Sequence, residues 1–190
     1  TADDRRTLSE HLCFLAATPS ILAAAVQSST ALETVLTAKV AHDWSAFPGA
    51  LQRLWEDERA GLTDQAWGTT LFLLTNPRTL IGMGGFTGGP SERGIVEFGY
   101  GIAPEYRGRG FATEAAAELV RRAFRDPNVL AVEARTQPQA GPSTRVLEKL
   151  GLLHIGERFD DEEGRLWHYR LERRNAAQYL DSASLSRLDT

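Results

Sequence analysis

The sequence predicts one α/β domain with a mixed, mostly antiparallel sheet flanked by helices. Three observations carry this. The first 60 residues show helical periodicity and capping signals, and the pattern switches at Thr69 to short β-branched and apolar runs joined by turns. A glycine-rich basic turn between Ile102 and Phe111 then joins a strand to an amphipathic helix.

The N-terminal third reads as follows. Leu8 to Ala16 is expected as a first strand. Thr18-Pro19 supplies an N-cap and a proline at the first helical position, ahead of Ile21, Leu22, Ala25 and Val26. Thr30 and Glu33 have the spacing of a capping box and predict a second helix start before Val35, Leu36 and Val40. A third helix is expected from Pro48 to Ala60, with Leu51, Leu54 and Trp55 on one face and Gly61 at its C-terminal stop.

From Thr69 the chain alternates. Thr69 to Thr75 and Thr79 to Thr87 predict a hairpin around Asn76-Pro77-Arg78, and Gly88-Gly89-Pro90 ends it. Gly94 to Ile102 predicts the next strand. The helix that follows buries Ala112, Ala116, Leu119 and Ala123, with Glu118 expected to pair with Arg121 and Arg122 on its other face. It must end before Pro127, because the residue preceding a proline is driven out of helical geometry. Val129 to Thr136 is a strand, Pro142 to Leu150 a short helix stopped by Gly151, and Leu153 to Phe159 with Leu166 to Leu171 a hairpin. The polar segment after Arg174 reads as a tail.

Composition excludes several functions. The 21 basic and 25 acidic residues give a net charge of −4, and the basic residues are scattered, which argues against a nucleic-acid partner. The longest apolar stretch, Ile21 to Val26, is far shorter than the ~20 residues that cross a bilayer, so no membrane partner is expected. Cys13 is the only cysteine, and no Cys/His cluster has metal-ligand spacing. No metal site and a reducing, cytoplasmic location are therefore expected.

Function is concentrated in the stretch from Val96 to Glu114. Gly108 and Gly110 lack a Cβ, so backbone N–H groups can approach a ligand closely, and the helix that follows aims free donors and its positive dipole end at the same point. Arg107 and Arg109 add local positive charge. The expected ligand is a phosphate group; the plain alternative is an ordinary strand-to-helix turn. No GxxxxGK[ST] is present, and Gly99-Tyr100-Gly101 and Gly108-Arg109-Gly110 both lack the third glycine of a dinucleotide fingerprint.

Arg107-Gly108-Arg109-Gly110-Phe111-Ala112 fits the [QR]xxGx[GA] motif of the GNAT superfamily of N-acetyltransferases. Val146-Leu147-Glu148-Lys149-Leu150-Gly151-Leu152 is similar to that superfamily's "VLEKLGF" ending, with Leu152 in place of phenylalanine. The nearest resemblance is to the RimJ/RimL type, strongest over residues 96–152 and fainter from Thr69 to Leu171. It implies the GNAT fold, with the sheet splayed between the strand ending at Ile102 and the strand Val129 to Thr136 to form an acyl-CoA slot. It also implies a single domain over 1–190: a variable helical acceptor side at 1–68, an acyl-CoA-binding core at 69–174 and a tail at 175–190.

The resemblance implies acetyl-CoA as co-substrate, held by Gly101, Ile102, Ala103, Arg107, Gly108, Arg109, Gly110, Phe111, Ala112 and Thr113. The acceptor is a primary amine, either a peptide N-terminus or a small molecule, and a homodimer is compatible with it. Glu97 occupies the strand position where several members keep a general base, and by alternation it shares a face with Gly99 and Gly101. Many members place a leaving-group tyrosine where Leu147 stands here. Ser143 matches a serine that the RimL-like branch keeps near the sulfur, and its alternative role is to bond backbone in the first helical turn. Ala140 replaces a usual asparagine on the pantetheine arm. The departures at Ala140 and Leu147 keep open a noncatalytic acyl-CoA-binding module of the same fold.

His11, His42, His154 and His168 are dispersed and read as structural or surface residues. Trp44 lies in the loop-like segment His42 to Pro48 and is the tryptophan most open to an acceptor role. The tip Asp160 to Glu163 reads as a solvated hairpin end that a cationic acceptor can use.

Overall fold

The computed structural model describes residues 6–45 and 49–180, with residues 6–8 by backbone alone. The described residues divide into two compact units, one within 1–85 together with 100–115 and the other within 86–99 together with 116–190.

The first unit is a sheet covered by helices. β1 (Arg6–Leu8) and β2 (Leu12–Ala16) form an antiparallel hairpin where the sequence suggested one strand from Leu8 to Ala16. The Ser9 N–H donates to Leu12 O, and the turn this closes interrupts the run. β2 pairs antiparallel with β4 (Thr70–Leu74), and β4 with β5 (Thr79–Phe86). The two-residue strand β3 (Lys39–Val40) adds to β5 in parallel.

Helix α1 (Pro19–Gln27) starts on its proline as expected. Helix α2 (Ser29–Leu36) starts earlier than the Thr30 box implied, because the Ser28 hydroxyl accepts from the Ala31 N–H at 3.1 Å. Glu33 receives the Val40 N–H instead and ties α2 to β3. Helix α3 spans Ala50–Arg59; the expected start at Pro48 lies outside the described residues. Ile21, Leu32, Leu36, Leu71, Leu73 and Leu80 form the core with Trp44, which is 7% exposed. Trp44 is thus a core anchor. Full burial of each such side chain contributes about 1.5–3 kcal/mol.

In the second unit β6 (Ile95–Ile102, through Gly99) pairs parallel with β7 (Ala131–Thr136). β7 pairs antiparallel with β9 (Gly164–Glu172), and β9 with β8 (Leu153–Asp160). The sheet is mixed and mostly antiparallel, as predicted. Helix α4 (Phe111–Arg125) lays Ala116, Leu119, Val120 and Ala123 into this unit's core, and helix α5 (Pro142–Lys149) buries Thr144 and Leu147. Glu118 pairs with Arg121 and Arg125, one turn further than the expected Arg122, whose guanidinium lies over the Phe86 ring. Arg173 Nε donates to Val129 O at 2.6 Å, and its Nη2 donates to Phe124 O at 2.8 Å, a carbonyl in the last turn of α4.

The parallel pairing of β6 and β7 covers only Ile95–Glu97 against Ala131–Glu133. Phe98 and Gly99 have no register partner on β7, although β7 continues to Thr136. The strands therefore part immediately after Glu97. A Cβ built on Gly99 would meet nothing within 4 Å, so the face of β6 at Gly99 is open.

Candidate active site

The first unit carries the glycine-arginine loop. β6 ends at Ile102, and a single 3-10 turn, Pro104–Tyr106, turns the chain toward α4. The sheet below is packed tightly enough that a Cβ on Gly82 would sit 2.3 Å from Gly101 O. Ile102 and Ala103 are buried, the Ala103 N–H donates to Ile81 O at 2.8 Å, and Ile102 O accepts from Arg107 Nε at 2.9 Å. These two residues form the floor of the loop.

Above that floor the loop is exposed. Gly108 and Gly110 have φ of +75° and +88°, left-handed values that cost a Cβ-bearing residue of the order of 1–3 kcal/mol, and open space surrounds both Cα atoms. Gly110 O accepts from the N–H groups of Thr113 and Glu114, which makes Gly110 the N-cap of α4. The N–H groups of Phe111 and Ala112 precede the first helical bond and stay available. The arginines brace the loop while lending it charge: Arg107 bonds back to β6, and Arg109 Nη2 donates to Glu105 O at 3.0 Å with its guanidinium over the Tyr106 ring. Left-handed glycines, unused helix donors and two fixed cations suit a diphosphate.

The second unit carries Glu97 and Ser143. The Glu97 carboxylate accepts from Arg135 Nε at 2.6 Å, and Arg135 Nη1 donates to Asp160 Oδ2 at 2.9 Å. Burial works against the charge on Arg135, but the hydrogen bonds and charges of Glu97 and Asp160 more than offset it and raise its pKa. Asp160 also accepts from the N–H groups of Glu162 and Glu163, and with Arg135 these hold its carboxyl below the usual range. The hairpin tip is thereby tied to the strand of the candidate base.

Sequence reasoning missed Arg135, and it read Asp160 only as part of a solvated hairpin tip; the two lie 38 and 63 positions beyond Glu97. Only the registers of β6, β7, β9 and β8 bring them together. Glu133, the register partner of Glu97, is also buried and meets His168 Nε2 at 2.8 Å and Arg170 Nη1 at 3.3 Å.

Ser143 is exposed in the first turn of α5, and no hydrogen bond within the described residues engages its hydroxyl. Thr144 does the capping: its hydroxyl accepts from the Gly141 N–H at 3.0 Å and donates to Gly141 O at 2.9 Å. Leu147 is 1% exposed and has no proton to give.

The family profile described as Acetyltransferase (GNAT) domain matches residues 16–153. Among curated proteins, the "uncharacterized N-acetyltransferase p20" of Bacillus licheniformis is 33% identical over 89 residues, 46% of this chain and 50% of its own length. The chain spans about half the length, or less, of the curated relatives it matches. Among solved structures, ribosomal-protein-S5-alanine acetyltransferase from Vibrio fischeri superposes with a TM-score of 0.62 at 16% identity, covering 89% of this chain and 97% of that one. A chimera of the spermidine N-acetyltransferase SpeG from Vibrio cholerae with hSSAT gives 0.64 at 16%, covering 90% and 99%. At such identity the likeness is one of fold.

Proposed function

The chain belongs to the GNAT acetyltransferase family, and from that premise we propose that it is an N-acetyltransferase using acetyl-CoA and an α-amine acceptor. The observation that carries the reading is the loop Arg107–Gly110, whose two left-handed glycines open onto the donors of α4. The N–H groups of Gly110, Phe111 and Ala112 hold the diphosphate, with Arg107 and Arg109 adding charge. Acetyl-CoA supplies the acetyl group as a thioester, which the amine attacks directly. β6 carries Glu97 on the same strand that leads into the loop.

The acceptor must lose a proton before or as it attacks. At pH 7 this costs about 4.6 kcal/mol for a lysine-like amine of pKa ~10.4, and about 1.1 kcal/mol for an α-amine of pKa ~7.8. The Arg135 guanidinium occupies one oxygen of Glu97 and leaves the other to take the proton, directly or through a water. An α-amine needs little help to lose its proton, whereas a lysine or a polyamine depends on the carboxylate far more. Ser143, with its hydroxyl uncommitted, donates to the departing thiolate in place of the absent tyrosine.

The same Arg135 contact favours a second reading, a noncatalytic acyl-CoA-binding module whose former base is locked in an ion pair. Equilibrium titration with acetyl-CoA, ATP and NAD, followed by mass spectrometry of a peptide incubated with the protein and acetyl-CoA, tests both. Selective acetyl-CoA binding with an acetylated peptide N-terminus supports the enzyme. Binding without any acetylated product supports the module, and equal binding of the three nucleotides contradicts both.

A further inference from the structure

Glu114 stands in the first turn of α4, immediately after the residues assigned to the diphosphate. A carboxylate there should repel an anion at the helix N-terminus. Its charge is instead turned toward the hairpin of β1 and β2. Oε1 accepts from the His11 N–H at 2.8 Å, from the Leu12 N–H at 3.0 Å and from the Ser9 hydroxyl. Oε2 lies 3.1 Å from His11 Nδ1, and the His11 ring meets Phe111 edge-on with centroids 6.1 Å apart. The side chain is 17% exposed.

Two consequences follow from this geometry. The donors draw the carboxylate's negative charge away from the loop. They also fix the first turn of α4 to an ordered strand start more than 100 residues away in sequence, so the free N–H groups of Gly110, Phe111 and Ala112 keep constant directions. We propose that Glu114 is a positioning residue for the phosphate loop, holding the helix donors in place through Ser9, His11 and Leu12. This rests on the reading of Arg107–Gly110 as the diphosphate site.

The test compares acetyl-CoA with S-acetylpantetheine, which carries the same thioester and lacks the diphosphate. Glu114→Ala is expected to raise KM for acetyl-CoA about tenfold, the effect of losing one well-made charged contact, while kcat at saturation stays near wild type. Turnover of S-acetylpantetheine should not change. Glu114→Gln keeps an oxygen toward the His11 and Leu12 N–H groups and should recover most of the affinity. Should Glu114→Ala fail to fold, Ser9→Ala removes a single donor and should raise the same KM by about twofold to threefold. An unchanged KM for acetyl-CoA in the folded variants, or an equal loss on both thioesters, overturns the proposal. A wild-type protein that does not prefer acetyl-CoA over S-acetylpantetheine removes the diphosphate site itself, and the proposal with it.

Discussion

Arg135 Nε lies 2.6 Å from Glu97 Oε1, so the candidate base and a cation from the neighbouring strand form one ion pair just where β6 and β7 part. Glu97 and Glu133 are register partners, and Arg135, two residues on from Glu133, comes to the same face by alternation. Without the guanidinium, Glu97 and Asp160 would be left with no cation between them. Arg135→Met is expected to lower stability by about 1 kcal/mol, a small figure because all three side chains are partly solvated. Urea unfolding of the single variant, and of Arg135→Met with Glu97→Gln, should show the two losses to be less than additive.

Glu97→Gln keeps the shape of the side chain and removes the proton acceptor. For a lysine-like acceptor kcat/KM should fall about 100-fold or more, and for an α-amine clearly less. The deficit should shrink as pH rises and more acceptor is already neutral. Normal turnover of both acceptors by Glu97→Gln at pH 7 would assign proton removal to solvent.

Ser143 and Thr144 separate chemistry from capping. Thr144→Ala loses the bonds to Gly141 and should cost about 1 kcal/mol, or ~2–4 °C in Tm for a chain of this size. Ser143→Ala should leave Tm unchanged and lower kcat, because thiolate charge develops only during the reaction. Thermal melts and single-preparation kinetics distinguish the pair.

Acid sensitivity follows from Glu114. Burial alone would push its carboxyl up, but the bonds from Ser9, His11 and Leu12 bring it below its ordinary value of 4.5. A carboxyl depressed on folding adds stability that is complete above that ordinary value and is lost as pH falls through the lower folded one. The stability difference between wild type and Glu114→Gln should therefore be constant near neutrality and shrink below about pH 4.5. Chemical denaturation from pH 7 to pH 3 reads it directly.

Gly110→Asp places a side chain in open space at φ +88° and adds a negative charge beside the proposed diphosphate. The variant should fold with a strain cost of about 1–3 kcal/mol and lose measurable CoA binding. Calorimetric titration of the folded variant checks this, and unchanged affinity would remove the loop from the ligand's path.

Most of the elements could be read in the sequence, because each carried a local signal. Proline and glycine marked the starts of α1 and α5 and the end of the β4–β5 hairpin, and helical spacing marked α4. Misreadings arose where short-range chemistry offered two options. Ser28 outcompeted Thr30 as the cap of α2, and the turn at Ser9 split one apolar run into β1 and β2. The glycine-arginine loop was legible because backbone conformation alone requires its glycines. The partners of Glu97 and Glu114 were not, since Arg135 and Asp160 arrive through strand register and Ser9 and His11 from a hairpin some 100 residues away.

Acetyl transfer to an α-amine is decided by initial rates of CoA thiol release on two versions of one short peptide. One version has a free N-terminus and no lysine; the other has a blocked N-terminus and a single lysine. Acetyl-CoA-dependent thiol release with the first is expected at a kcat/KM at least tenfold above the second at pH 7, the direction set by the deprotonation costs of about 1.1 and 4.6 kcal/mol. Faster release with the lysine peptide, or none above hydrolysis with either, would contradict it.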